Sequence, residues 1–347
     1  RHQADGDGAG RQAQTGHAGG RDVRHPVSMA AEILLETRGL VRTFGEFRAV
    51  DGLDLRVGAG EMVGLVGPDG AGKTTTMRLL CGALLPTSGT IRVAGHDIPA
   101  EVEKAREEIG YLAQKFSLYG DLTVKENLEF FGEVFDMDAA ERETRSMDLL
   151  RFAGLEEFAN RRAAALSGGM QKKLGLASAL VHRPKVLLLD EPTGGVDPVA
   201  RQEFWQLLIG LLRGGSGVLV STPYMDEAMR FNRVIFMNHG RALTSGAPRD
   251  LIATLSGRVL QLAANPQMKA REVAVEDPDV EDVHSFGGYL HLRVRSAAGP
   301  KKRLPGRLKK AGVNVTHLVP VAPTLEDVFI QLLETEEAAN GAVRAAA

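Results

Sequence analysis

The sequence predicts an α/β fold, and three observations carry the prediction. The apolar run Met62-Val-Gly-Leu-Val66 leads into a glycine-rich turn and then into helix-forming residues from Lys73, the pattern of a buried parallel strand feeding a helix. A second apolar run, Val186-Leu-Leu-Leu189, ends in Asp190-Glu191-Pro192. The residues between these runs have a helical rather than an alternating period, so helices connect the parts of one α/β core.

Taken in order, residues 1–28 are rich in Gly, Arg, Gln and His without the apolar centre of a signal peptide, and are expected to be disordered, with Met29 as the natural start. Residues 33–41 and 50–57 alternate apolar and polar side chains around Gly45 and predict two antiparallel strands. Phe44, on the turn between them, suits an aromatic face stacked on adenine. The alternative, that Phe44 or Phe47 fills core, stays open at this point.

The turn after Val66 reads Gly67-Pro68-Asp69-Gly70-Ala71-Gly72-Lys73-Thr74, followed by Thr75. Its glycines let backbone N–H groups approach phosphate oxygens, and the helix dipole adds positive charge there. Lys73 is expected to reach the β and γ phosphates of ATP, and the Thr74 hydroxyl to coordinate Mg²⁺.

Gln114 follows the strand-like run Ile109-Gly-Tyr-Leu-Ala113 and belongs to a loop. Thr123-Val-Lys-Glu126 is a capping box, and Leu128, Phe131 and Phe135 continue at helical spacing. Helical patterning runs from Asp138 through Phe152, breaks at Gly154 and resumes after Ser167. Ser167-Gly168-Gly169, with Gln171 just beyond, is a second anion site: a hydroxyl, bare amides and the positive end of a helix. Since Lys73 already serves the phosphates from its own loop, Ser167 is read as addressing a nucleotide held by another, similar domain, which predicts a dimer. Asp190 and Glu191 stand at the carboxyl end of a buried strand, where α/β sheets bind ligands. Asp190 is expected to hold Mg²⁺ through its water shell and Glu191 to polarise the attacking water.

At 347 residues and 44% hydrophobic content the chain can bury one large core or two moderate ones, and two are expected. A net charge of −2 gives no global reason to expect nucleic acid, and the basic clusters at 301–303 and 309–310 read as a solvated face. The single Cys81 cannot make an internal disulfide, suits a reducing cytosol and reads as a small buried hydrophobe. No window approaches 18 consecutive apolar residues, so any membrane role needs a partner.

With these pieces in order, the chain resembles the nucleotide-binding subunits of ABC transporters. Gly67 to Thr74 looks like Walker A, Gln114 the Q-loop, Leu166 to Gln171 the signature, Val186 to Glu191 Walker B, and Gly195-Val-Asp197-Pro198 the D-loop. The resemblance covers roughly residues 32–256. It implies a P-loop NTPase of ABC type: an α/β core, an antiparallel β subdomain, and a helical subdomain at about 115–182. ATP and Mg²⁺ are its implied cofactors, with Thr74, Gln114 and Asp190 around the metal and the nucleotide sandwiched between two cassettes. One position departs from the pattern. In Val218-Leu-Val-Ser-Thr-Pro223-Tyr-Met-Asp-Glu-Ala228 a proline stands where the family's switch histidine follows the Ser-Thr pair. That histidine contacts the γ-phosphate in the family, so the departure implies a site that binds ATP but turns it over slowly. Alternatively Pro223 is structurally innocent, tolerated in the first turn of the next helix. An intact signature beside a defective switch favours a heterodimer over a homodimer.

Beyond Ser256, strand-like runs at 259–262 and 289–294, a basic helical patch at 301–310 and the ending Thr324-Leu-Glu-Asp-Val328 look like the small C-terminal α+β domain (257–335) of ATP-binding subunits from bacterial ABC-2-type exporters, the daunorubicin-resistance type among them. Residues 336–347 are expected to be a disordered tail. The implied function is an ATPase that drives export through separate membrane permease subunits, held peripherally at the cytoplasmic face of the cell membrane. The alternatives are a mainly non-hydrolysing half of an asymmetric heterodimer and, less favoured, a soluble ABC ATPase of DNA repair or ribosome rescue. The last is disfavoured because the long coiled-coil insert and the second cassette those proteins carry are both missing.

Overall fold

The computed structural model describes residues 32–115 and 117–346. The expectations for residues 1–28 and for Met29 lie outside that range.

The chain enters through a hairpin of β1 (Ile33–Phe44) and β2 (Phe47–Gly58), antiparallel and turning at Gly45, as the alternation predicts. β3 (Met62–Val66) follows, every residue of it buried, and the glycine-rich turn delivers α1 (Lys73–Leu80). β4 (Ser88–Val93) and β5 (His96–Ile98) complete the first sheet in the order β2-β1-β4-β5. After α2 (Val102–Glu107) comes β6 (Ile109–Leu112), which returns the chain to the core.

The helical insert comprises α3 (Val124–Val134), α4 (Ala139–Ala153) and the first part of α5 (Gly168–Ala179). Thr123 Oγ1 accepts from Glu126 N at 3.2 Å while Glu126 Oε2 accepts from Thr123 N at 2.7 Å, the reciprocal capping box expected there. Gly154 ends α4 at φ 64°, a left-handed cap that glycine adopts without steric cost.

β7 (Val186–Asp190), α6 (Pro198–Arg213), β8 (Gly217–Thr222), the short α7 (Met225–Ala228), β9 (Arg233–Asn238) and β10 (Arg241–Gly246) build out the central sheet. Its order is β10-β9-β3-β8-β7-β6, parallel except for the β9–β10 edge. This is the continuous apolar, doubly covered sheet that the runs at 62–66 and 186–189 announce. β8 lies between β3 and β7, so Ser221 pairs with Leu65 on one side and Asp190 on the other.

α8 (Pro248–Ala253) leads to the C-terminal part: β11 (Val259–Asn265), α9 (Gln267–Val275), β12 (Val280–Phe286), β13 (Tyr289–Val294), α10 (Ala298–Lys310), β14 (Asn314–Pro320) and α11 (Leu325–Ala346). Its sheet runs β12-β13-β11-β14, wholly antiparallel, and owns a core that includes Leu260, Leu292, Leu304 and Leu308. The expected boundary near 256 falls just before β11, but α11 crosses back over it. Leu325, Val328 and Phe329 join the core of the first domain, with the Phe329 ring 5.2 Å from that of Phe236 on β9.

Two expectations are corrected here. Residues 336–346 are not a disordered tail but continue α11. Their Ala and Glu content favours helix, and Glu336 Oε2 accepts from Asn238 Nδ2 at 2.8 Å, fastening this part of the helix to β9. Cys81 is half-buried just past α1, with its Sγ 3.5 Å from Arg78 O, rather than a fully buried hydrophobe.

Candidate active site

The turn between β3 and α1 is shaped by contacts only glycine permits. A Cβ on Gly67 would lie 2.1 Å from Met237 O, and Gly72 sits at φ +100° with its Cβ position 2.4 Å from Ala49 O. The loop is thereby pressed against β9 and β2. Lys73 opens α1 with its side chain 4% exposed. Its Nζ donates to Gly67 O at 2.8 Å and Pro68 O at 2.9 Å and lies 4.0 Å from Glu191 Oε1. Burial pushes its pKa down, while Glu191, Asp69 and Asp190 oppose the shift.

Across the cavity, Asp190 ends β7. Its Oδ1 accepts from Thr74 Oγ1 at 3.1 Å and from Ser221 Oγ, and its Oδ2 is buried without a hydrogen-bond partner. A buried, uncompensated carboxylate oxygen beside a threonine hydroxyl is a hard-oxygen donor set, which fits Mg²⁺. Glu191, the next residue, adopts φ +46°, a left-handed conformation that costs a non-glycine residue about 1–2 kcal/mol. Its N–H donates to both Ser221 O and Ser221 Oγ at 3.1 Å, which fixes that backbone. Gln114, in the loop after β6, donates from Nε2 to Glu191 Oε2 at 2.7 Å.

These groups enclose a cavity of ≈ 300 Å³. Asp69, Gly70, Gly72, Lys73, Thr74 and Thr75 line one side, Gln114 and Glu191 another, and Phe47 and Ala49 of β2 the rim. Gly67, Pro68 and Ala71 shape the loop behind it; Ala71 is buried.

The two candidate aromatic residues differ at this rim. Phe47, not Phe44, lines the cavity; the Arg42 guanidinium, held by Leu85 O at 2.9 Å, sits 4.5 Å over the Phe44 ring and covers it. Neither ring fills core, as they are 44% and 61% exposed.

The signature residues stand apart from this cavity. Ser167 caps α5, its Oγ accepting from Met170 N at 3.4 Å, and Ser167 and Gly168 remain exposed. Gly169 is buried because a Cβ there would meet Ala200 Cβ at 2.5 Å, and Gln171 Nε2 donates to Ala163 O at 3.3 Å. Asp197 caps α6, accepting from Val199 N at 3.1 Å and Ala200 N at 3.0 Å. Ser167, Gly168, Gly169 and Gln171 thus do not line the cavity at Lys73.

Pro223 directly follows β8 and precedes the cap of α7, so it lies outside the helix rather than in its first turn. Beneath it lies Glu227, 1% exposed, accepting from Thr222 Oγ1 at 2.7 Å and from Thr193 Oγ1, with Arg201 Nε 3.9 Å away. Sequence reasoning missed Glu227 and Ser221, and also Lys172, whose Nζ donates to Gln114 O at 2.6 Å and reaches Glu191 O at 3.5 Å. A lysine in the first half of a helix carries no sign of that reach.

A glycine-rich loop beside paired carboxylates on a parallel sheet, with a helical insert whose α5 opens on an exposed Ser167-Gly168 pair, defines the fold of a P-loop nucleotide-binding cassette. Residues 50–194 match the ABC transporter family, and residues 246–333 match the DrrA1-3-like ATP-binding protein C-terminal domain. The chain is 40% identical over 307 residues to the Nod factor export ATP-binding protein I of Paraburkholderia xenovorans, covering 88% of this chain and 98% of that one. It is 41% identical over 302 residues to the probable multidrug ABC transporter ATP-binding protein YbhF of Escherichia coli, covering 85% of this chain. It spans about half, 51%, of that relative's length. Among solved structures, the dimeric cassette MJ0796 aligns with TM-score 0.57 at 30% identity, over 61% of this chain and 98% of that one. The cbiO1 subunit of Clostridium perfringens aligns with TM-score 0.60 at 26% identity, over 71% and 96%. The chain belongs to the family of ABC transporter ATP-binding proteins and carries a DrrA-like C-terminal domain. Proteins of this family are ATPases that couple ATP hydrolysis to transport. Among the described residues, no helix is long and apolar enough to cross a membrane.

Proposed function

We propose that the chain binds ATP in the cavity at Lys73, hydrolyses it, and couples closure against a second cassette to export through separate ABC-2-type membrane subunits at the inner face of the cell membrane. The observation that carries the reading is the convergence of Lys73, Thr74, Gln114 and Glu191 on one cavity, with Asp190 buried behind Thr74 and bonded to its hydroxyl. Lys73 exchanges its two carbonyl partners for β- and γ-phosphate oxygens, and the loop amides cradle the rest of the chain of phosphates. Thr74, Asp190 and Gln114 would hold Mg²⁺, which when bound supplies charge neutralisation across the phosphates. Glu191 Oε aligns the attacking water, with Gln114 steadying the carboxylate and Lys172 the two backbones. Ser167 and its neighbouring amides serve the nucleotide of the opposite cassette.

A second reading is favoured by Pro223: this cassette is the mainly non-hydrolysing half of a heterodimer. A proline has no side-chain donor for a γ-phosphate oxygen, so the local site turns over slowly while Ser167 completes a better site across the interface. Steady-state ATP hydrolysis by wild type and Pro223→His decides between the two. A gain of tenfold or more with histidine supports the slow-site reading; equal rates favour a fully hydrolysing subunit.

A further inference from the structure

Away from the nucleotide cavity, the C-terminal sheet brings two imidazoles and a carboxylate together with no role in the function proposed above. His284 on β12 pairs in register with His291 on β13, so both rings stand on one face of the sheet. Asp327, in the first turn of α11, reaches that face from the opposite layer. Its Oδ1 lies 2.9 Å from His291 Nδ1 and 3.0 Å from His284 Nε2, and one donor atom from each of the three residues lies within 4.8 Å of the others.

We propose that His284, His291 and Asp327 form a binding site for a divalent transition-metal cation of the Zn²⁺ class, which clamps the C-terminal sheet to α11. Two nitrogens and one carboxylate oxygen are the ligands that class prefers over Mg²⁺. Ligands at about 2.0–2.1 Å from a tetrahedral ion lie roughly 3.3 Å apart, so the two short separations need open by only a few tenths of an ångström. The surrounding contacts are those that orient metal ligands. Asp282 Oδ2 lies 3.0 Å from His284 Nδ1, which leaves Nε2 as the liganding nitrogen. Thr324 N and Oγ1 hold the far oxygen of Asp327 at 2.7 and 2.8 Å, and the Phe286 ring stacks on His291 at 4.4 Å, fixing its plane. His291 and Asp327 are buried, whereas His284 is only partly so and offers the way in. The clamp has a mechanical consequence: α11 also seats Phe329 against Phe236 and Glu336 on Asn238, so the cation ties the C-terminal sheet to a helix docked on the nucleotide domain.

The test uses the full chain, stripped with chelator and titrated with Co²⁺ alone, then with Zn²⁺ as competitor. The readouts are Co²⁺ absorption, metal content after gel filtration, and thermal unfolding. Wild type is expected to bind one Co²⁺ per chain with the absorption of a four-coordinate ion, to release it to Zn²⁺, and to unfold at higher temperature when loaded. His284→Gln and His291→Gln are expected to abolish that absorption. Asp282→Asn, which keeps all three ligands, is expected to weaken binding about 10–100-fold. His2, His17 and His25 precede the domain, so adventitious binding there is a named outcome. Stoichiometry and affinity unchanged in all three variants would mean adventitious binding only and overturn the site, as would no saturable binding by wild type. If the histidine variants fail to fold, Asp282→Asn decides alone: unchanged Co²⁺ affinity overturns the proposal.

Discussion

Gln114 Nε2 donates to Glu191 Oε2 across 2.7 Å, joining a loop after β6 to the end of β7 over 77 residues of sequence. The contact ties the segment that leaves the core for the helical insert to the carboxylate that faces the cavity. A movement of either is therefore felt by the other.

Replacement of Glu191 by Gln keeps the size of the side chain but removes the carboxylate proposed to align the attacking water. Phosphate release is expected to fall about 10²-fold or more while ATP binding persists within a few-fold. Single-turnover hydrolysis alongside equilibrium binding checks both halves of the claim.

The rim makes a choice between two phenylalanines. Loss of a stacked ring costs about 1–3 kcal/mol where it has been measured for bases, so Phe47→Ala is expected to weaken ATP binding by roughly 5- to 150-fold. Phe44→Ala, whose ring is already covered by Arg42, is expected to change it little. A fluorescent ATP analogue titrated into each variant distinguishes them, and the reverse order would return the adenine platform to Phe44.

Glu227 is a buried acceptor for two threonine hydroxyls, one after β7 and one at the end of β8. In Glu227→Ala both hydroxyls lose their partner inside the protein, at about 1–3 kcal/mol each. Urea denaturation is expected to report a loss of about 2–5 kcal/mol, and Glu227→Gln, which can still accept, a smaller one.

Acid stability has a named contributor in the C-terminal domain. Asp277 is buried, and the Arg303 guanidinium, donating from Nε at 3.0 Å and from Nη2 at 2.6 Å, holds its carboxyl below the usual range. A depressed folded pKa stabilises the fold above the unfolded value of about 3.9 and loses that stabilisation as pH falls through the folded value. Unfolding free energy is expected to drop more steeply below about pH 4 in wild type than in Asp277→Asn. Parallel slopes in the two proteins would refute the assignment.

α11 is the mechanical link between the two cores. Phe329→Ala removes a 7%-exposed ring from the contact with Phe236, and is expected to cost about 3–5 kcal/mol and to speed proteolysis of the C-terminal part. Limited proteolysis with mass analysis of the fragments follows the undocking directly.

The α/β core, the phosphate loop and the paired carboxylates were legible in the sequence because each needs particular residues at close spacing. Lys73 and Thr74 must follow glycines, and Asp190 must end an apolar strand. What escaped depends on distance. The carboxylate of Asp190 is held by Ser221, 31 residues on, and no local pattern records that β8 runs between β3 and β7. Lys172 reads as an exposed helical residue until α5 is seen to carry it to Gln114 O. The difference between Phe44 and Phe47 turns on Arg42, a residue whose partner Leu85 is 43 positions away. The helix at 336–346 was missed because no local pattern records that Asn238 meets Glu336, 98 positions away.

The central claim is that Lys73 and its loop grip the phosphates of ATP. Calorimetric titration of ATP with Mg²⁺ into the full chain, wild type against Lys73→Ala, tests it most directly. The account predicts saturable binding by wild type, weakened at least tenfold in the variant at unchanged thermal stability. Equal affinity in the two proteins, or no binding by wild type, would contradict it.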